Sequence, residues 1–313
     1  MKARVTICIP CFNAERWISQ AVQSALAQTW PDVEVIVVDD GSTDGSLEKI
    51  KEFGDAIRVI AGGHRGSNAA RNLALQSGEG EWIQFLDADD YLLPEKIARQ
   101  FEEAPDGDVI FSPVWMEQGG KRTLLEIDSA EDTHALWLSW QLPQTGGALW
   151  KRSVLERLGG WNETTPCCQE FELYLRAIKA GVQFSYAPTP NAIYRIWSEQ
   201  TLCRKDPVKL AEVRTRLARE LLDWMKERQL LKESHVRIAG RGFFEMGRTI
   251  ARFDLPRAER YHRERKREGL IHLAGPAAPR FYRASYRVLG FGLTERLAAF
   301  VGQSLPKVDG GRH

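Results

Sequence analysis

Val33-Glu-Val-Ile-Val-Val-Asp-Asp-Gly-Ser-Thr-Asp-Gly45 joins a continuous β-branched run to an acidic, turn-forming cluster. A run such as Val33–Val38 suits a strand buried on both faces of a parallel sheet, because a strand with one wet face alternates apolar and polar residues. The flanking sequence keeps switching between strand and helix periods. Val5–Ile9 is a short apolar run that Pro10 is expected to end. Ala14–Gln28 sets Ile18, Ala21, Val22, Ala25 and Leu26 on one helix face. Helices over Ser46–Phe53 and Asn68–Gln76 alternate with strands over Ile57–Ile60 and Trp82–Leu86, and Pro94 suits the first turn of a helix before Ile97–Glu103. Val109–Phe111 is one more short strand. This alternation predicts an α/β sandwich around a mainly parallel, mixed central sheet.

From about Leu136 the pattern is mixed. A strand over Gly146–Trp150, a helix over Phe171–Lys179 and strands over Val182–Tyr186 and Ala192–Ile196 are expected to extend the same sheet. Beyond Asp206 the chain reads as helices, Pro207–Arg228, Ser234–Phe253 and a very basic Pro256–Glu268, with a last helical stretch after Pro279. The expected organisation is a catalytic domain over 1–205, with a ligand-binding half at about 1–110 and a second half at about 111–205, followed by a basic helical region over 206–313.

The composition belongs to a soluble globular protein, with 43% hydrophobic and 27% charged residues in 313. The formal charge of +1 names no nucleic-acid partner. The charge is uneven, however: Val236–His313 carries +9 and the remainder −8. Five cysteines (Cys8, Cys11, Cys167, Cys168, Cys203) give no paired metal-ligand spacing and no disulfide framework, which fits a reducing compartment. The opening apolar run is short for a signal peptide and no stretch approaches a membrane span, so the expectation is a cytoplasmic protein.

In doubly wound α/β sheets ligands collect at the carboxyl ends of the strands. Four clusters fall there: Pro10, Phe12, Asn13 and Glu15; Asp39-Asp40-Gly41-Ser42-Thr43-Asp44; the loop Gly62-Gly63-His64-Arg65-Gly66 leading into Ser67–Asn72; and Asp87-Ala88-Asp89-Asp90. Asp87 and Asp89 offer hard oxygen ligands to a divalent cation, which can neutralise a diphosphate leaving group. A solvated acidic turn is the simpler reading of a lone D-x-D, and the three sister clusters weigh against it. Asp40 is read as a nucleotide-binding carboxylate and Asp44 as a helix cap. Phe12 could stack on a base or belong to the core. Arg71 could meet phosphate or ribose, or form a surface ion pair.

Ile7-Cys-Ile-Pro-Cys-Phe-Asn13, Ala25-Leu-Ala-Gln-Thr-Trp30, Val37-Val-Asp-Asp-Gly-Ser-Thr-Asp-Gly45, Gly66-Ser-Asn-Ala-Ala-Arg-Asn72 and Phe85-Leu-Asp-Ala-Asp-Asp90 occur in order. Together they make the chain, over roughly residues 5–200, resemble the family 2 glycosyltransferases, inverting enzymes of GT-A fold that use nucleotide sugars. The resemblance implies that Pro10, Phe12, Glu15, Asp40 and Arg71 line the nucleotide pocket. It also implies that Asp87, Ala88 and Asp89 meet the donor diphosphate, with Asp87 and above all Asp89 holding Mg²⁺ or Mn²⁺, and that the donor is a UDP-sugar. The family pattern of Gly-Gly-aromatic-Asp-Glu followed by Glu-Asp-x-Asp-Leu resembles Gly159-Gly-Trp-Asn-Glu163 and Gln169-Glu-Phe-Glu-Leu173. This puts Glu170 at the position of the general base, with Glu172 as the alternative and Gln169 in place of an acid.

Relatives often carry a histidine near Trp197 and Ser198; Arg195 and Arg204 are further phosphate candidates without a motif behind them. The acceptor is expected to be a saccharide or a lipid-linked saccharide, in cell-surface polysaccharide or glycoconjugate synthesis. The basic, aromatic tail would suit peripheral contact with the cytoplasmic face of a membrane, or simply a solvated helical face. Two other functions use the same residues: a nucleotide-sugar-binding protein without catalysis, and a phosphotransferase with Asp87 as nucleophile.

Overall fold

The computed structural model describes residues 3–127, 132–197 and 206–300. Strands β1 (Val5–Cys11), β2 (Val33–Asp39), β3 (Arg58–Ala61) and β4 (Trp82–Phe85) alternate with helices α1 (Ile18–Leu26), α2 (Ser46–Lys51) and α3 (Ser67–Ser77). Next come β5 (Tyr91–Leu92), α4 (Lys96–Glu103), β6 (Val109–Phe111), β7 (Val114–Gln118), β8 (Lys121–Leu125) and α5 (Thr133–Leu138). They are followed by β9 (Ala148–Lys151), α6 (Arg152–Leu158), α7 (Gln169–Lys179), β10 (Phe184–Tyr186) and β11 (Ala192–Ile196).

The seven-stranded sheet has the order β10-β6-β9-β4-β1-β2-β3. Its β1–β2, β1–β4, β2–β3 and β6–β10 pairs are parallel, and β9 runs antiparallel between β4 and β6. The strand Val33–Val38 expected to be buried lies inside this sheet between β1 and β3, with Val35 to Val38 enclosed. Ile7, Ile9, Val35 and Val37 pack in one core with Ile18, Ala21, Val22 and Ala25 of α1 and Ile97 of α4.

Two expectations need correction. Ala192–Ile196 does not extend this sheet: β11 joins β5, β7 and β8 in a separate four-stranded sheet. There β7 and β8 form a hairpin through Gly119 and Gly120, both left-handed, which supply the reversal at no steric cost. Nor does Pro10 end β1, which continues to Cys11. Cys11 O accepts from Asp40 N on the β2 side, so Pro10 faces the β4 side. The β4 pairing has already finished at Cys8–Phe85, so no ladder bond is lost for want of an amide hydrogen.

The chain divides into two units. Among the described residues, one comprises 3–127, 132–133 and 141–197, and the other comprises 134–140 and 206–300. In the second unit lie α8 (Pro207–Glu227), α9 (Glu233–Ala251), α10 (Leu255–Arg267) and α11 (Arg280–Phe300). Asp206 and Asp254 cap α8 and α10 by accepting from Lys209 N and Arg257 N, each with proline in the first turn, where its missing donor costs nothing. No helix among the described residues is long and apolar enough to cross a membrane.

Candidate active site

The carboxyl ends of β1 to β4 bring the four acidic and glycine-rich clusters to one edge of the sheet. Asp40, buried at the end of β2, receives Arg65 N on Oδ1 at 2.9 Å and Gly66 N on Oδ2 at 2.7 Å. It thus holds the glycine-rich loop closed over its own strand. A side chain at Gly62 would meet Asp40 Cα at 2.9 Å, which explains the glycine there. The loop turns His64, in a left-handed conformation, against Phe12, with ring centroids 4.6 Å apart. Phe12 stays half exposed, so it is a surface aromatic and not part of the core.

Asp39, not among the expected site residues, has a signal the sequence could not show. Its Oδ2 accepts from Ser42 N at 3.3 Å, while Oδ1 is buried with no protein donor. Glu15 is tied down locally, accepting from Gly45 N at 3.2 Å and lying 3.7 Å from Lys49 Nζ. Asp44 accepts from Ser46 N at 3.0 Å, at the start of α2, and from Glu15 N at 3.1 Å. Burial raises its carboxyl, but these hydrogen bonds outweigh burial and hold it below its ordinary value. Asn13, Glu15, Trp17, Asp44, Lys49 and Trp197 line an open hollow of about 340 Å³ on this side.

The D-x-D segment follows β4. Asp87 Oδ1 lies 2.6 Å from Arg71 Nη2. Arg71 is 4% exposed, donates also to Asn68 Oδ1 and Gln169 Oε1 at 2.9 Å each, and lies over the Trp161 ring at 4.5 Å. A surface ion pair is therefore not its role. Asp89 Oδ2 accepts from Trp197 Nε1 at 2.8 Å, so the tryptophan occupies the hydrogen-bonding position next to the motif. Burial and then the neighbouring Asp87 push the Asp89 carboxyl up. Asp90 is pushed up further by its deeper burial and by Asp89 and Asp87.

Arg195 is not free for phosphate. It is buried, donates to Asp89 O at 2.6 Å and Gln20 Oε1 at 2.8 Å, and lies 4.3 Å from the Trp17 ring centroid. Arg204 lies outside the described residues, as do Ser198 and Cys203.

Helix α7 carries Glu170 and Glu172 in its first turn. Glu170 Oε1 accepts from Thr145 Oγ1 at 2.7 Å, and the carboxylate is close enough to Arg71 to help hold the guanidinium charged against its burial and alongside Asp87. Glu172 is used otherwise: Arg176 Nε and Nη2 both donate to it at 2.9 Å, and Arg176 Nη1 reaches Leu158 O at 2.6 Å. Phe171, Tyr174, Leu175 and Ile178 of α7 are buried as their spacing requires, but so are Glu172, Leu173 and Ala177, so the helix is enclosed on more than one face.

Segment 160–163 is held to α3 by side chains one turn apart. Asn68 Nδ2 donates to Asn162 O at 2.7 Å, while Asn72 receives Trp161 N at 2.7 Å and donates to Trp161 O at 2.9 Å. The Gly66–Asn72 motif and the Gly159–Glu163 motif are thus two halves of one contact.

The sequence model described as "Glycosyl transferase family 2" matches residues 6–161. An Escherichia coli UDP-Glc:alpha-D-GlcNAc-diphosphoundecaprenol beta-1,3-glucosyltransferase, WfaP, is 38% identical over 198 residues, 61% of this chain and 77% of the relative. The chain belongs to glycosyl transferase family 2. An uncharacterised family glycosyltransferase of Nostoc sp. is 32% identical over 170 residues, 50% of this chain and 53% of that protein. The chain spans 53% of the Nostoc protein, 49% of Bacillus subtilis EpsJ and 32% of a Rickettsia conorii glycosyltransferase, so it covers half or less of the length of most of these relatives. The fold is that of the GT-A glycosyltransferases. S. aureus TarS 1-349, solved with UDP-GlcNAc, superposes with a TM-score of 0.61 at 16% identity over 96% of this chain and 92% of that one. Pyrobaculum calidifontis mannosyltransferase PcManGT, solved with GDP-Man and Mn2+, gives 0.55 at 16% identity over 97% and 89%.

Among the described residues no group of three or more His, Cys, Asp and Glu side chains could hold a metal ion. The family 2 D-x-D pair nonetheless suits a divalent cation. Its ligands are hard oxygens, and Asp87, Asp89 and Asp90 lie close enough together that, after burial, the neighbouring carboxylates push Asp89 and Asp90 up. Two carboxylates leave most of the coordination to be completed by a phosphate-bearing ligand.

Proposed function

We propose that this chain transfers a sugar from a nucleoside-diphosphate sugar to an acceptor hydroxyl with inversion at the anomeric carbon. The observation that carries this reading is the arrangement of acidic groups around Arg71. Asp87 and Asp89 at the end of β4 and Glu170 on α7 all act on the Arg71 guanidinium, and Glu170 is held by Thr145 and free of the ion pair that occupies Glu172. In a single displacement, the acceptor oxygen bonds to the anomeric carbon as the bond to the diphosphate oxygen breaks, and the acceptor proton goes to Glu170. Arg71 stays charged and, with Nη2 2.6 Å from Asp87 Oδ1, orients that carboxylate. A divalent cation bound by Asp89 and Asp87 would supply charge neutralisation for the departing diphosphate.

Asp39 Oδ1, a buried acceptor lacking a donor at the end of β2, suits a base or ribose hydrogen. Asp40 is the brace that keeps the glycine-rich loop beside it, and exposed Phe12 is the stacking surface. A uridine donor is supported by the UDP-sugar named for the E. coli relative and the UDP-GlcNAc bound to TarS. A lipid-linked diphosphate acceptor is supported by the E. coli relative's own substrate.

Calorimetric titration with UDP, dTDP and GDP, with and without Mn²⁺, against wild type and Asp89→Ala tests the donor site. Metal-dependent binding of UDP that the substitution abolishes is expected. A folded protein that binds none of the three nucleotides would refute the glycosyltransferase reading.

A further inference from the structure

We propose that the outward face of α11 docks on an anionic lipid surface. The inward face of this helix is settled by its contacts. Tyr282, Tyr286 and Phe291 pack their rings on Phe244 of α9, and Phe291 stacks on His262 of α10 with centroids 4.2 Å apart. Glu295 is turned inward, bonded to Arg248 Nε at 2.7 Å and to Tyr282.

A helix with its core contacts complete should present polar residues to water on the other side. This one presents Phe281, Val288 and Leu289 before Gly290, and Leu293 and Phe300 after it; Val288 is 83% and Phe300 90% exposed. Phe281 and Val288 lie seven residues apart, as do Leu293 and Phe300, so each pair shares a side of its helical segment. Gly290, with φ of 72°, divides the two segments, and each carries its own outward apolar strip.

Charge identifies the occupant. Arg280, Arg287 and Arg296 are exposed beside these strips, and among the described residues none of the three has an ion pair. The only acid in α11, Glu295, is the one buried against Arg248. The outward side chains of α11 itself are therefore apolar and positive, and the one carboxylate of α10 set against the helix, Glu259, lies at Gly292. A second copy of the chain would bring these arginines against themselves across a two-fold axis, which repels. Anionic lipid satisfies both halves of the face: headgroups for the arginines and the acyl boundary for the apolar side chains. No helix of the described residues crosses a membrane, so the contact lies in the interface plane.

The proposal is independent of sugar transfer, and its test involves no nucleotide. The full chain is sedimented with vesicles of phosphatidylcholine alone or mixed with phosphatidylglycerol, at low and high salt. Binding to the anionic vesicles only, weakening with salt, is expected. Arg287→Ala should bind about fivefold more weakly, and Val288→Glu with Leu293→Glu roughly tenfold or more. Both positions are exposed, so circular dichroism and melting of these variants should match wild type; should the double variant misfold, Arg287→Ala and the salt response decide. Wild type that ignores anionic vesicles, or variants that bind like wild type, would overturn the proposal. So would self-association that Val288→Glu abolishes without any vesicle binding.

Discussion

Glu170 and Glu172 stand two residues apart on the same helix, and their neighbours separate their roles. Glu172 has both oxygens on Arg176, whereas Glu170 has one oxygen on Thr145 and faces the Arg71–Asp87 pair. Glu170→Gln should lower transfer about 10²–10⁴-fold, the usual worth of a general base, and leave nucleotide affinity unchanged. Glu172→Gln should instead lower the melting midpoint, through about 1–3 kcal/mol of lost ion pairing to a half-buried Arg176, with kcat nearly intact. Activity assays and thermal melts of the two variants distinguish them, and the reverse pattern would exchange the assignment. Thr145 holds Glu170 through its hydroxyl. Thr145→Val should cut kcat about tenfold with KM for the donor unchanged, the cost of one lost charge-assisted hydrogen bond, and Thr145→Ser should restore it. A Thr145→Ser variant as impaired as Thr145→Val would show that the threonine methyl matters for packing and the hydroxyl does not.

Helix α3 ties segment 160–163 and the start of α7 to the edge of the sheet. Its residues Asn68, Arg71 and Asn72 fall on one face because they are spaced by a helical turn, and that face receives segment 160–163 and Gln169. Asn72 serves both the amide and the carbonyl of Trp161, which is itself buried. Asn72→Ala leaves both backbone groups without their partner, and a loss of about 1–3 kcal/mol is expected in denaturant unfolding. Asn72→Asp keeps the acceptor for Trp161 N but not the donor, and should fall between alanine and wild type. Equal stability of Asn72→Ala and wild type would show that water replaces the side chain.

The helical unit contains a histidine that opposes acid. His262 is held by Tyr286 Oη at 2.8 Å, stacks on Phe291, and faces Phe244 and Lys266. Burial, with Lys266 adding to it, pushes its pKa down from 6.5 to about 4. Above 6.5 the folded and unfolded forms are both neutral. As pH falls from 6.5 towards 4 the unfolded chain takes up a proton that the folded unit refuses, and stability drops. About 1–3 kcal/mol is lost over that window. The midpoint of wild type should therefore fall more steeply between about pH 7 and 5 than that of His262→Phe, and parallel slopes would assign the acid sensitivity to other groups.

Much of the fold was legible because parallel α/β architecture writes its period into the chain: Val33–Val38, Val109–Phe111 and Ala192–Ile196 are strands within a residue of where their composition puts them. The clusters after β1 to β4 were legible for the same reason, since topology sends every strand end to one edge. What local pattern could not carry was partner choice. The sheet that takes β11, the pairing that ends at Cys8 and so admits Pro10, and the antiparallel insertion of β9 depend on segments distant in the chain. The same holds for side chains of one type. Asp39 and Asp40, Glu170 and Glu172, and Arg71 and Arg195 are chemically alike in each pair, and their roles differ by which remote donor or carboxylate the folded chain sets against them. A carboxylate's chemistry is fixed by its residue type, but what it is free to do depends on the hydrogen bonds and charges that surround it once it is buried.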